Sequence, residues 1–254
     1  MQYVGATKYE ELSAVDIKTM LHARADSLFT LNDTKTPDEF TSIRQIYINL
    51  DYVEPYVDSA IEIIDKTKSE YYVLHDLPNT KDYGYGWAWQ SASSFSGWWQ
   101  ACAQAIKKAR PGIQLGYPKL KVGDDIELVQ HSNYKFLCGT AGAINAADFM
   151  TVGTSWGCDS KWGEMYRALY YIVYVWHTFH KPIMVLYCNS NNNVRKSVKG
   201  DQYVEFLENL HNIDSVTGAF CHTLSSPVRG NKWVAWRTAK KESSIPTKIA
   251  ERKF

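Results

Sequence analysis

The feature that most constrains this chain is a regular alternation of short apolar runs with stretches of helical periodicity. The clearest runs are Gln45–Asp51, Tyr71–His75, Ile113–Tyr117, Phe149–Thr154, Ile183–Tyr187 and Gly218–Leu224, with weaker ones at Gln2–Thr7 and Ser27–Leu31. Runs this short and this apolar suit parallel strands buried on both faces. Between them the apolar residues recur every three or four positions. Val57, Ala60, Ile61 and Ile64 form one stripe, and Trp98, Cys102, Ala105, Ile106 and Ala109 form another. Met165, Ala168, Leu169, Ile172, Val173, Trp176 and Phe179 form the longest, and Tyr203, Phe206, Leu207 and Leu210 a fourth. Lys181-Pro182 stops the third of these helices and launches the next strand. Strands alternating with helices define an α/β protein. Eight strand candidates, with no Gly-rich phosphate loop after an early strand, favour a (β/α)8 TIM barrel over a doubly wound open sheet.

A chain of 254 residues is the usual size of one such barrel. No Pro/Gly/Ser-rich linker or charge run divides it, so residues 1–254 are read as a single domain. The tail from Lys240 to Phe254 is polar and is expected to be peripheral, with room for one closing helix. Net charge is +1, from 28 basic against 27 acidic side chains, which gives no electrostatic basis for nucleic-acid binding. The longest apolar stretch, Met165 to Phe179, is too short and too polar to span a bilayer. Met1–Thr7 lacks the basic and apolar regions of a secretory signal. Cys102, Cys138, Cys158, Cys188 and Cys221 show no metal spacing and read as buried free thiols. No metal and no cofactor is expected.

In a (β/α)8 barrel, function gathers at the C-terminal ends of the strands. Those positions hold Asp51, then His75-Asp76-Leu77-Pro78-Asn79, then Tyr117-Pro118-Lys119. Ser155-Trp156-Gly157-Cys158-Asp159, Tyr187-Cys188-Asn189 and His222-Thr223 follow. Such a set suits a carbohydrate cleft, where aromatic faces stack on sugar rings while amides and carboxylates take the hydroxyls. The loop Asp82–Gln90 adds Tyr83, Tyr85, Trp87 and Trp89, in a chain that carries 9 Trp and 17 Tyr. It reads either as a sugar platform or as packing that holds a long loop to the barrel. The expected ligand-binding set is His75, Asp76, Asn79, Trp87, Trp89, Tyr117, Trp156, Tyr187, Asn189 and His222.

Tyr71–Asn79 resembles the fourth strand of clan-A glycoside hydrolases, and Lys181–Tyr187 resembles their seventh. The likeness runs from about Gln45 to Leu224. In that family the fourth strand ends in Asn-Glu-Pro, whose Glu is the acid/base, and the seventh ends in the nucleophilic Glu. Here Asp76 stands in place of the Asn, Leu77 in place of the acid/base and Tyr187 in place of the nucleophile. A retaining mechanism needs two carboxyl groups about 5–5.5 Å apart. The resemblance therefore implies the fold and the place of the cleft, but not the activity. Its degenerate positions are Leu77 and Tyr187.

Displaced carboxylates could restore chemistry if two faced each other at about 6.5–9.5 Å, the inverting geometry. The candidates are Asp76 with Asp51 or Asp159, with Glu164 read as opening a helix. A His75–His222 pair and a Cys188 nucleophile near His222 are weaker alternatives. The leading expectation is a catalytically inactive, carbohydrate-binding or receptor-binding barrel in an extracellular or virion-associated setting, with other protein subunits as further partners. An active glycoside hydrolase and a protein-interaction barrel with a vestigial cleft are the competing readings.

Overall fold

Eight strands pair in chain order, all parallel, and the eighth returns to the first: Tyr3 lies beside Gly218 and Gly5 beside both Phe220 and Ser27. The computed structural model describes residues 1–8, 10–32, 34–46, 56–121, 126–156, 163–190, 194–225, 235–237 and 243–254. The strands are β1 (Tyr3–Thr7), β2 (Ser27–Leu31), β3 (Thr41–Ile46), β4 (Tyr71–Leu74), β5 (Gln114–Tyr117), β6 (Phe149–Trp156), β7 (Ile183–Ser190) and β8 (Val216–Cys221). Each expected strand is present. The third begins earlier than expected, at Thr41, and residues 47–51 of the expected run lie outside the described residues.

The helices are α1 (Ala14–His22), α2 (Tyr56–Thr67), α3 (Ala92–Ala109), α4 (Ile126–Gly139), α5 (Ala141–Ala146), α6 (Gly163–Phe179), α7 (Lys196–His211) and α8 (Ser244–Ala250). Ser13 and Ser91 each cap the free amides of a helix start, at α1 and α3. Tyr203, Phe206, Leu207 and Leu210 of α7 are all buried. The tail carries the closing helix that the sequence leaves room for, but it is not peripheral: Ile245 and Ile249 of α8 are buried, and Arg252 donates to the carbonyls of Ala23 and Ile249. Amphipathic spacing in so short a helix is easily lost among polar neighbours.

Side chains divide by strand parity into two cores. Phe29, Ile43, Val73, Phe149, Met184, Leu186 and Phe220 fill the barrel interior. Their outward neighbours, such as Leu28, Leu74, Met150 and Val185, join the helices in a larger layer. Gly116 of β5 leaves room for the Phe149 ring, which a Cβ would overlap.

Among the described residues the crossover from β2 to β3 carries no helix. Arg44 points outward there and ties Asn32, Thr34 and Thr36 to the barrel. Its Nη1 donates to the carbonyls of Asn32 and Thr34 at 3.1 and 2.6 Å, and its Nη2 to Thr36 Oγ1 at 2.6 Å.

Candidate functional site

A cavity of about 350 Å³ opens at the C-terminal end of the barrel, within the size range of small-ligand sites. Two backbone departures build it. At the end of β4, His75 (φ 74°) and Leu77 (φ 41°) take the left-handed conformation on either side of Asp76. Each costs roughly 1–2 kcal/mol for a side chain of this kind. Strict alternation from Val73 would turn His75 inward. The reversal sends His75 into the helix layer and brings Asp76 and Leu77 to the cavity wall.

At β7, Tyr187 (φ 58°) sits where the pairing with β8 shifts register between Leu186 and Cys188. Leu186 faces the interior, so alternation would put Tyr187 outside. The irregularity lets two successive side chains face in, as bulges near sites do. Tyr187 thus lies over the interior cluster and lines the cavity with Asn189 and with His222, whose ring centroid is 4.9 Å from its own.

Lys119 completes the wall. Pro118 ends β5 and delivers Lys119, whose carbonyl accepts from the Leu77 amide at 3.2 Å. Its Nζ donates to Asp76 Oδ1 and stands 4.3 Å above the Tyr187 ring centroid. The Lys119 and Asp76 side chains are 7% and 3% exposed. Burial pushes the Lys119 ammonium below its usual range, and Asp76 pulls it partly back. Burial, and then the charge of Lys119, bring His222 down to about 4. Burial pushes the Tyr187 phenol up. The sequence displayed Lys119 at a strand end, but nothing in it signalled that the side chain would turn inward to meet Asp76.

The expected binding set separates into two groups. Asp76, Tyr187, Asn189 and His222 line the cavity, as does Leu77. His75, Asn79, Trp87, Trp89, Tyr117 and Trp156 do not. Trp156, expected to stack on a sugar, is 2% exposed and packs against Phe206 and Tyr203 at 4.4 and 5.6 Å. Tyr117 is buried outside the barrel wall, its hydroxyl 2.8 Å from Thr140 Oγ1. Trp89 is 3% exposed, donates to the Pro78 carbonyl and packs with His75, Phe95 and Trp98. Of the aromatic loop after β4, Trp89 is therefore packing, while Tyr83 lines the cavity and Tyr85 and Trp87 are exposed; His75 Nε2 lies 2.9 Å from the Tyr83 carbonyl. Trp87 is 53% exposed and donates to the Lys81 carbonyl, away from the cavity wall. Asn79 ties the β4 loop to Asn133 and to the Lys121 amide, which sets Lys121 at the cavity rim. Asp51 and Asp159 lie outside the described residues, as does the side chain of Glu164.

The weaker alternatives find no support in this geometry. His75 is enclosed by aromatic rings while His222 faces the cavity. Among the described residues no cluster of three or more His, Cys, Asp or Glu side chains could hold a metal ion. Cys188 is fully buried and burial pushes its thiol up to about 12, which leaves no thiolate for nucleophilic attack. No described helix is long and apolar enough to cross a membrane.

Fold and cavity together define a closed, all-parallel (β/α)8 barrel with a ligand-sized mouth. Among solved structures it is similar to a GH128 endo-β-1,3-glucanase of Sorangium cellulosum, with a TM-score of 0.75 and 14% identity over 99% of this chain and 98% of that one. A GH128 endo-β-1,3-glucanase of Amycolatopsis mediterranei, solved with laminaritriose and laminaribiose, gives 0.71 and 14% over 99% of both chains. A curdlan-specific exo-β-1,3-glucanase of Blastomyces gilchristii, solved with glucose, gives 0.65 and 11% over 98% and 97%. At such identities the likeness is one of fold. No protein-family model and no curated protein matches the chain.

Proposed function

We infer that this chain is a carbohydrate-binding barrel without glycosidase activity. One observation carries the reading. The mouth cavity is lined by Leu77 and Tyr187, the two positions that the clan-A resemblance reads as degenerate, and its one carboxylate among the described residues, Asp76, is engaged by Lys119. Leucine has no proton to give a leaving group, and general acid catalysis contributes roughly 10²–10⁴-fold. A phenol pushed up by burial is a poor nucleophile at neutral pH. What the cavity retains is binding chemistry: the Tyr187 ring, the Asn189 amide and the His222 imidazole. The sugars seen with two of the structural neighbours make laminaritriose and glucose sensible first probes.

The test is calorimetric titration with laminaritriose beside an assay for released reducing sugar from laminarin. Saturable binding that Asn189→Ala and Tyr187→Ala weaken, with no hydrolysis, is the expected outcome. Turnover by the unaltered chain that Asp76→Ala abolishes would make the displaced-carboxylate hydrolase correct instead.

A further inference from the structure

A helix that covers a barrel turns charged and polar side chains to water and apolar ones to the core. The outer face of α6 turns tyrosines to water instead. Tyr166, Tyr170 and Tyr174 recur every four residues, so they stand in one row along the helix, on the side away from the buried Ala168, Ile172 and Val175. They are 72%, 61% and 37% exposed. The rings of Tyr170 and Tyr174 are nearly parallel, inclined by 17° with centroids 6.3 Å apart. Tyr134 of α4 extends the row sideways, its ring 5.3 Å from that of Tyr174. The four rings form one continuous surface, and a contiguous exposed patch calls for an explanation that single exposed side chains do not.

Area and chemistry say what fits it. At these exposures the three tyrosines of α6 leave roughly 250–400 Å² in water, given the size of a tyrosine side chain. That approaches half of the about 800 Å² that each partner of a stable interface contributes. Around the row, Lys135 and Cys138 of α4 and Arg167, His177 and Thr178 of α6 are also exposed. An aromatic centre inside a polar rim is the layout of a protein interface. The row is also its own complement. A phenol hydroxyl both donates and accepts, so a second row running antiparallel can pair hydroxyl with hydroxyl. Ring edges can then meet ring faces, the arrangement aromatic pairs prefer.

We propose that the tyrosine row of α6, with Tyr134 of α4, is the centre of a two-fold interface between two copies of this chain. A two-fold axis brings the same patch of both copies together, which a self-complementary row satisfies. The proposal is independent of what the mouth cavity binds.

Sedimentation velocity of the intact chain, run from about 1 to 500 µM, reads the monomer–dimer equilibrium directly. Dimers are expected to form within that range. Tyr170→Glu sets a charge at the middle of the row and is expected to weaken the dimer about tenfold or more, as loss of a central aromatic anchor does. Tyr170→Phe keeps the ring and should stay close to the unaltered chain. Tyr170 is exposed, so both variants should keep the thermal midpoint of the unaltered monomer, which separates a lost contact from a lost fold. A chain that stays monomeric throughout overturns the proposal. So does a dimer that Tyr170→Glu leaves unchanged, since the interface then lies elsewhere. Laminaritriose binding that Tyr170→Glu abolishes in a monomeric chain overturns it as well, by giving the row to a sugar.

Discussion

His222 is a residue whose chemistry depends on the state of the fold. Its imidazole is brought down to about 4 by burial and by the charge of Lys119. In the unfolded chain an imidazole titrates near its ordinary value of about 6.5. Between those values the unfolded chain binds the extra proton, so stability falls as pH drops from about 6.5 to 4 and levels off below that. Urea midpoints measured across this range should decline for the unaltered chain and decline less for His222→Gln. Parallel profiles for the two would show that His222 is not what the fold gives up in acid. The Lys119–Asp76 pair works differently. Its two charges are both desolvated, so the attraction between them is largely offset by the cost of burying them. Its contribution is to fix Asp76 and Lys119 in one arrangement at the cavity wall.

At the scale of the elements, the strands are legible in the sequence and their local irregularities are not. Counting by two from Phe149 places Trp156 outside the barrel, and counting from Gly116 does the same for Tyr117; both lie there. Residue type alone favours the cleft for both, and parity wins because a parallel strand cannot turn a side chain through the sheet. Tyr187 and His75 obey the opposite lesson. Each breaks parity through a left-handed residue, and Tyr187 also through a register shift, which no local pattern of letters announces. The helix stripes were legible because burying an apolar face is the main reason these helices form. The helix-free crossover after β2 was not, since it depends on one arginine folding back. Arg44→Met removes the donors that hold the carbonyls of Asn32 and Thr34 and the hydroxyl of Thr36. The expected result is a loss of about 1–3 kcal/mol, with faster protease cleavage within residues 32–40. Unchanged cleavage would mean the crossover is held by other contacts.

For the molecule as a whole, the pairing of Tyr3 with Gly218 has a consequence in time as well as in space. During synthesis β1 emerges first, and the strand that covers its second edge comes only after everything between. At roughly 5–20 residues per second, that interval is on the order of 10–40 s. Throughout it, β1 presents a row of unpaired backbone groups to whatever else is nearby. The ring of strands cannot close by stages, because no strand other than β8 pairs with the free side of β1. Ribosome-stalled chains exposed only as far as Ser215 should therefore remain open to protease at Tyr3–Thr7 and should recruit holding chaperones. Chains exposed through Leu224 should lose both properties together. Protection of β1 in the shorter chains would mean that another segment stands in for β8 while the cell is still making it.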